Sequence, residues 1–172
     1  GVIIGLVWKV LLIESEFGVV NHLLGLAGVG PVPFRSDPTL ALVSTVAAGT
    51  WRGTAFAMIM LYGGLQRVPR ELYEAARVDG AGAWNRFLHV TLPQLKPVVF
   101  VTTVLVSIYA LNAFDLIFAL TGGGPGRATQ VLSLFMYQEA FGELNVGRGA
   151  AIAVVMLVIN LLLTGAYLRL FD

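Results

Sequence analysis

The chain has 172 residues, of which 57% are apolar and only 12% charged, with a net charge of +1; its mean hydropathy is +0.82. Soluble domains carry roughly 25% charged residues, so this composition excludes an ordinary soluble enzyme, a disordered chain and a nucleic-acid-binding tail, and it points to an integral membrane protein. There is no cysteine, which removes disulfides, thiolate metal sites and cysteine nucleophiles.

In chain order, residues 1–13 are apolar but too short to span and lack the basic start of a signal peptide. They are expected to be the tail of a membrane helix, and the chain a fragment of a larger subunit. Residues 14–37, with Gly18, Gly25, Gly28, Gly30, Pro31 and Pro33, read as a loop with one short helix near 19–24. Residues 40–65 form an apolar run interrupted by Arg52, about 39 Å long as a helix and so long enough to span with tilt. Residues 66–96 are the most charged stretch. Residues 97–120 make a second span with Asp115 as its one charge. A glycine-rich turn at 121–128 leads to an apolar-spaced helix at 129–141, too short to span and expected at the interface within an outer loop, 121–146. Residues 147–170 make the third span, with Arg148 and Arg169 near its ends. The expected fold is an all-α, polytopic membrane helix bundle. No internal repeat is evident.

Lysine and arginine in short loops set the orientation. Five of the 11 basic residues (Arg67, Arg70, Arg77, Arg86 and Lys96) fall in 66–96, against Arg35 in the first loop and Arg127 and Arg148 in the third. The 66–96 segment is therefore expected to be cytoplasmic and the other two loops to face out.

That segment begins Val68-Pro-Arg-Glu-Leu-Tyr-Glu-Ala-Ala-Arg-Val-Asp-Gly80. Pro69 suits the first turn of a helix, Glu71 and Glu74 sit toward its positive end and Arg77 toward its negative end, and Gly80 suits a C′ position with φ > 0. Arg70 and Glu74 are spaced to pair at i, i+4. Leu72, Ala75 and Ala76 share a face, and the alanines allow another surface to approach closely. A second helical piece is expected after Gly80, and Pro93 and Pro97 bracket the start of the next span. By pattern alone this is equally well a solvated connector.

The spacing of Glu74-Ala75-Ala76, then Gly80, then Val90, Leu92 and Pro93 resembles the EAA loop of permease subunits of bacterial ABC importers, with valine at 90 in place of the usual isoleucine. Asn112-Ala-Phe-Asp115, Leu120-Thr-Gly-Gly-Gly-Pro125, Thr129, Ala140-Phe141, Asn145-Val-Gly147 and Ala150-Ala151 extend the resemblance to the carbohydrate-uptake branch, the MalF/UgpA type, and so do Gly18, Asn21, Leu24 and Trp51. The resemblance implies that Glu74, Ala75, Ala76, Gly80, Leu92 and Pro93 belong to a coupling element that docks on a separate ATP-binding subunit. It also implies a second, homologous permease subunit, an extracytoplasmic solute-binding protein and residence in the inner membrane among lipid. ATP and magnesium would be held by the ATPase partner; this chain, whose two lysines, Lys9 and Lys96, do not follow a glycine, has no P-loop of its own. No cofactor, nucleic-acid partner or catalytic role is expected.

The remaining polar residues of the spans leave choices open. Asp115 is either a helix-end carboxylate or part of the solute pathway, and Asn112 lies one turn earlier on the same face. Asn160, near the middle of the last span, either bonds between helices or lines the route. Asn112, Asp115 and Asn160 are thus the candidate pathway residues. Arg52, which costs about 2.5–3.5 kcal/mol at a helix centre, needs a neighbouring subunit, a cavity or a carboxylate, with Asp115 one option at a different apparent depth. Trp51 beside it is a packing residue or an aromatic face for a sugar. His22 and His89 lack metal-ligand spacing. Residues 122–126 do not complete a GxGxxG, since Arg127 occupies the last position. Two other classes remain in view: a membrane enzyme using Asp115, Glu139 or Glu143, and a passive channel.

Overall fold

The computed structural model describes residues 1–171, and every regular element among them is helical. Helix α1 is Val2–Leu11, α2 is Val19–Leu26 and α3 is Pro38–Leu65. The start of α3 follows from its sequence. Asp37 accepts the Leu40 N–H through Oδ1 at 2.8 Å, and Pro38 takes the first position, where no N–H is needed. Next come α4 (Arg70–Val78), α5 (Ala83–Arg86), a π turn at Phe87–Thr91, and α6 (Leu92–Leu111). Helix α7 (Phe114–Leu120), α8 (Leu132–Tyr137), a second π turn at Gln138–Gly142 and α9 (Val146–Phe171) complete the order. Asn145 caps α9, accepting the Arg148 N–H at 3.2 Å.

Among the described residues, two helical stretches are both long and apolar enough to cross a membrane: the 29-residue Ala83–Leu111 and the 25-residue Val146–Leu170. Helix α3 has the length, 28 residues, but its Gly, Ser and Thr content makes it less apolar. The span expected over 97–120 has different bounds. Its helix begins at Ala83, runs through Pro93 and Pro97, and stops at Leu111. The π turn lies directly before Pro93, whose ring would crowd the His89 carbonyl in regular α geometry. At the far end Phe114 N–H bonds to the Asn112 carbonyl at 2.7 Å, a tight reversal that separates α7 from α6. The helix expected over 129–141 is shorter than its spacing suggested, Leu132–Tyr137 followed by the π turn.

The chain divides into two compact units: Gly1–Arg52 with Ile108–Leu163, and Gly53–Ser107 with the chain from Thr164. In the first, α1 lies along α7. A Cβ on Gly5 would come within 2.7 Å of Ala119 Cβ and 2.8 Å of the Leu116 carbonyl oxygen, so the absence of a side chain at position 5 permits the contact. Ala48, Leu116 and Leu120 form the buried core there, with Ile4 and Trp8 against them. In the second unit Gly64 lies against Leu95 and Val98, and Ser107 and Tyr167 share a hydrogen bond at 2.8 Å.

Candidate functional site

The first unit gathers the polar residues of its apolar helices. Arg52 Nη1 donates to Asp115 Oδ1 at 3.1 Å, and both side chains are about a third exposed or less. The Arg52 guanidinium also stands 5.9 Å from the Tyr109 ring centroid, within cation–π range. Asp115 Oδ1 further accepts the Leu116 N–H at 2.8 Å. The pairing is possible because the chain turns at Asn112–Ala113: Asp115 belongs to the first turn of α7 and is not the continuation of α6, which removes the depth mismatch that a straight helix would impose. Of the choices open to Arg52, the structure takes the carboxylate.

Beside this pair, Asn112 Nδ2 donates to Asn160 Oδ1 at 3.3 Å and to the Ile108 carbonyl at 2.8 Å, and Asn160 Nδ2 donates to the Met156 carbonyl at 2.8 Å. Asn160 therefore bonds between helices. All three candidate pathway residues, Asn112, Asp115 and Asn160, lie in this unit with Arg52. An aromatic row lies in the same unit: Phe114 and Phe118 are 5.2 Å apart between centroids, Phe114 and Tyr137 4.9 Å, and Tyr137 and Phe141 5.3 Å. Trp51 is exposed and joins none of these contacts. Glu139 pairs with Arg148 at 3.3 Å.

The second unit carries the EAA-like segment. Helix α4 ends in a Schellman arrangement: Gly80 N–H bonds to the Arg77 carbonyl at 3.0 Å and Ala81 N–H to the Ala76 carbonyl at 2.9 Å, with Gly80 at φ +76. Pro69, expected inside the first turn, takes the N-cap position instead, with an extended ψ of 136. Arg70 and Glu74 do not pair; both side chains are solvated, where an ion pair gains little. Two ties missed in the sequence brace the segment. Tyr73 and Thr91 hydroxyls bond at 2.9 Å, and Arg86 Nη1 donates to the Ala81 carbonyl at 2.7 Å. They turn Tyr73 and Ala76 inward and leave Glu74, Ala75, Gly80, Leu92 and Pro93 exposed, so the three small and apolar residues of the expected face are divided, Leu72 and Ala75 outward and Ala76 half-buried. Val78 is 88% exposed and Trp84, stacked on Phe87, is 69% exposed. No spacing pattern signals these ties; a tyrosine and a threonine so far apart in sequence meet only after the chain folds.

In the first loop of the first unit, Asn21 is the central fastener. Its side chain donates to the Ile13 carbonyl at 3.0 Å and the Val32 carbonyl at 3.1 Å, and accepts the Val32 N–H at 2.8 Å. Glu14 accepts from the Ser36 hydroxyl and from the Arg35 and Ser36 N–H groups. Burial raises the Glu14 carboxyl, but these bonds and the Arg35 charge outweigh it and leave its pKa below the ordinary carboxylate value. In the glycine-rich turn, Gly122, Gly123 and Gly126 have positive φ, and Thr129 Oγ1 donates to the Gly124 carbonyl at 2.9 Å.

Comparison with known proteins places this architecture. The family described as the binding-protein-dependent transport system inner membrane component matches residues 2–171. The chain is 40% identical over 155 residues to the sulfoquinovosyl glycerol transport system permease protein SmoG of Agrobacterium fabrum, covering 90% of this chain and 50% of that protein. It is 42% identical over 165 residues to the trehalose/maltose transport system permease protein MalF of Thermococcus litoralis, covering 94% and 54%. The chain thus spans about half the length of the curated relatives it matches. Its fold is similar to that of a bacterial ABC transporter involved in the import of the acidic polysaccharide alginate, with a TM-score of 0.86 at 24% identity, over 99% of this chain and 59% of that one. With its apolar spanning helices and a match over nearly its whole length, the chain belongs to the family of inner membrane components of binding-protein-dependent transport systems.

Proposed function

We infer that the full-length protein is one permease subunit of an ATP-driven importer for sugars or related polar solutes. It works with a second, homologous permease subunit, ATP-binding subunits on the 66–96 side and a solute-binding protein on the outer side. The reading rests above all on α4: a short, exposed, firmly stopped helix with Ala75 and Gly80 outward, held by Tyr73 and Arg86 rather than free to flex. Glu74, Ala75, Ala76, Gly80, Leu92 and Pro93 form the coupling element in this reading. ATP and magnesium sit on the partner chain. ATP-driven closure of the motor pushes α4, and the membrane helices rock between inward- and outward-open states.

The solute class is supported by the kinds of compound in the relatives' names: a sulfoquinovosyl glycerol, trehalose and maltose, and, at 33% identity, sn-glycerol-3-phosphate. All are rich in hydroxyl groups, which paired amides and aromatic faces bind well. Asn112, Asp115 and Asn160 are assigned to the pathway on that basis. The enzyme alternative loses support because Asp115 and Glu139 are already held by arginines.

The test is disulfide cross-linking in the assembled complex. A cysteine at Ala75, which is exposed, should cross-link to a cysteine in the cleft of the ATPase subunit, and uptake into vesicles should require both ATP and the binding protein. Absence of a cross-link at every cleft position, in a complex that still transports, overturns the coupling role. Uptake without nucleotide overturns the importer.

A further inference from the structure

The loop between α1 and α3 has its polarity reversed for a surface facing water. Residues 17–34, FGVVNHLLGLAGVGPVPF, contain no Asp, Glu, Lys or Arg, and α2 lies within them; His22, exposed on α2, is their one titratable side chain. The polar side chain of Asn21 points inward, 3% exposed, and is taken up by the loop's own backbone at Ile13 and Val32. The large apolar side chains point out: Phe17 is 93% exposed, Leu23 61% and Leu26 76%. A short helix beside water keeps its apolar stripe inside and its polar residues outside. The opposite arrangement suits an apolar exterior.

Two further features extend this. Helix α1 carries an exposed stripe of Val2, Ile3, Leu6, Val7 and Val10, while Gly5, Ile4 and Trp8 on its other side meet α7 and the core. Helices α1 and α2 pack on each other, so the apolar exterior of α1 continues onto α2. Charge stands only at the margins of the stretch, with Glu14 and Glu16 before it and Arg35 and Asp37 after it, and Glu14 draws the two margins together through Arg35 and Ser36. An apolar face ending in a charged border is the profile of a helix lying at the boundary between acyl chains and headgroups.

We propose that α2 is an interfacial anchor bedded in the outer leaflet, with Phe17, Leu23 and Leu26 among the upper acyl chains and Glu14, Arg35 and Ser36 at headgroup level. Lipid is favoured over a protein partner because the apolar exterior of α1 runs onto α2 without a break and the charged residues gather in one border at its end, as at a bilayer boundary.

These 172 residues contain no cysteine, so spin labels can be placed singly once any cysteine elsewhere in the complex is replaced, and the complex is reconstituted in phosphatidylethanolamine–phosphatidylglycerol vesicles. Labels at Leu23→Cys and Leu26→Cys, like one at Val7→Cys, should collide more with lipid-soluble oxygen than with a water-soluble nickel chelate. A label at Glu16→Cys should show the reverse order. Nickel access at 23 and 26 overturns the proposal by making α2 water-facing. Protection from both reagents also overturns it, by showing a protein cover. The readout is independent of uptake, so a failure here leaves the importer reading standing, and a failure of that reading leaves this one standing.

Discussion

At the scale of single residues, Gly80 and Arg52 show two ways in which a side chain, or its absence, fixes structure. A Cβ at Gly80 meets nothing within 4 Å, so the penalty for replacing it arises from its φ of +76 alone. Gly80→Val should destabilise the stop of α4 by about 1–2 kcal/mol and lower ATP-driven uptake while membrane abundance is unchanged; full uptake would show that the stop is dispensable. The position was legible in the sequence because glycine after a capped, charge-graded helix has a single geometric use. Arg52 was legible only as a problem. Its partner lies 63 positions away, and the pairing depends on a reversal at Asn112–Ala113 that contains neither glycine nor proline. A double-mutant cycle in the full-length protein tests it: Arg52→Gln and Asp115→Asn should each destabilise, and the pair together by less than their sum, with a coupling of about 0.5–3 kcal/mol in detergent unfolding. Strict additivity would dissolve the pair.

At the scale of elements, existence was easier to read than bounds. The long apolar runs announce α3 and α9, and Pro69, the charge gradient and Gly80 announce α4, by the rules that govern isolated helices. The π turns at Phe87–Thr91 and Gln138–Gly142 and the division of 97–120 were not legible, because Pro93 admits a kink or a helix start as readily as a π turn and hydropathy does not mark a reversal within an apolar run. The first loop adds a dependence on pH. Glu14 has a lowered pKa, so its contribution is complete above the unfolded-state value and is lost as pH falls through the folded one. Hydrogen-exchange protection at the Arg35 and Ser36 amides should therefore hold near neutrality and fall on acidification below the ordinary carboxylate range. Glu14→Gln should remove that pH dependence, and an unchanged profile in the variant would locate the cause elsewhere.

At the scale of the molecule, scarcity of charge gives the compartment, and the one charged island is the basis of the expected orientation. If 66–96 is cytoplasmic, Arg77→Cys in intact cells should react with a membrane-impermeant maleimide only after permeabilisation, whereas Glu16→Cys should react at once; both positions are exposed. The reverse pattern would invert the orientation. The family and the all-helical class were legible from the EAA-like spacing and the hydropathy together. The grouping of Asn112, Asp115, Asn160 and Arg52 in one unit was legible only in part, since hydropathy marks which residues are costly in lipid but not which of them meet.

The wide turn before Pro93 acts as a tolerance. A π turn takes about one residue more than an α turn to complete the same rotation, so the surplus at Phe87–Thr91 is absorbed where it stands and the residues before it keep their facing on the rod Ala83–Leu111. In regular α geometry one added residue would rotate everything before it by about 100°. Deleting a single residue from 87–91 should therefore leave Ala83–Arg86, with Trp84, facing as before, at the cost of crowding the Pro93 ring against the carbonyl four positions earlier. The one-residue surplus admits a proline into the rod without turning what precedes it.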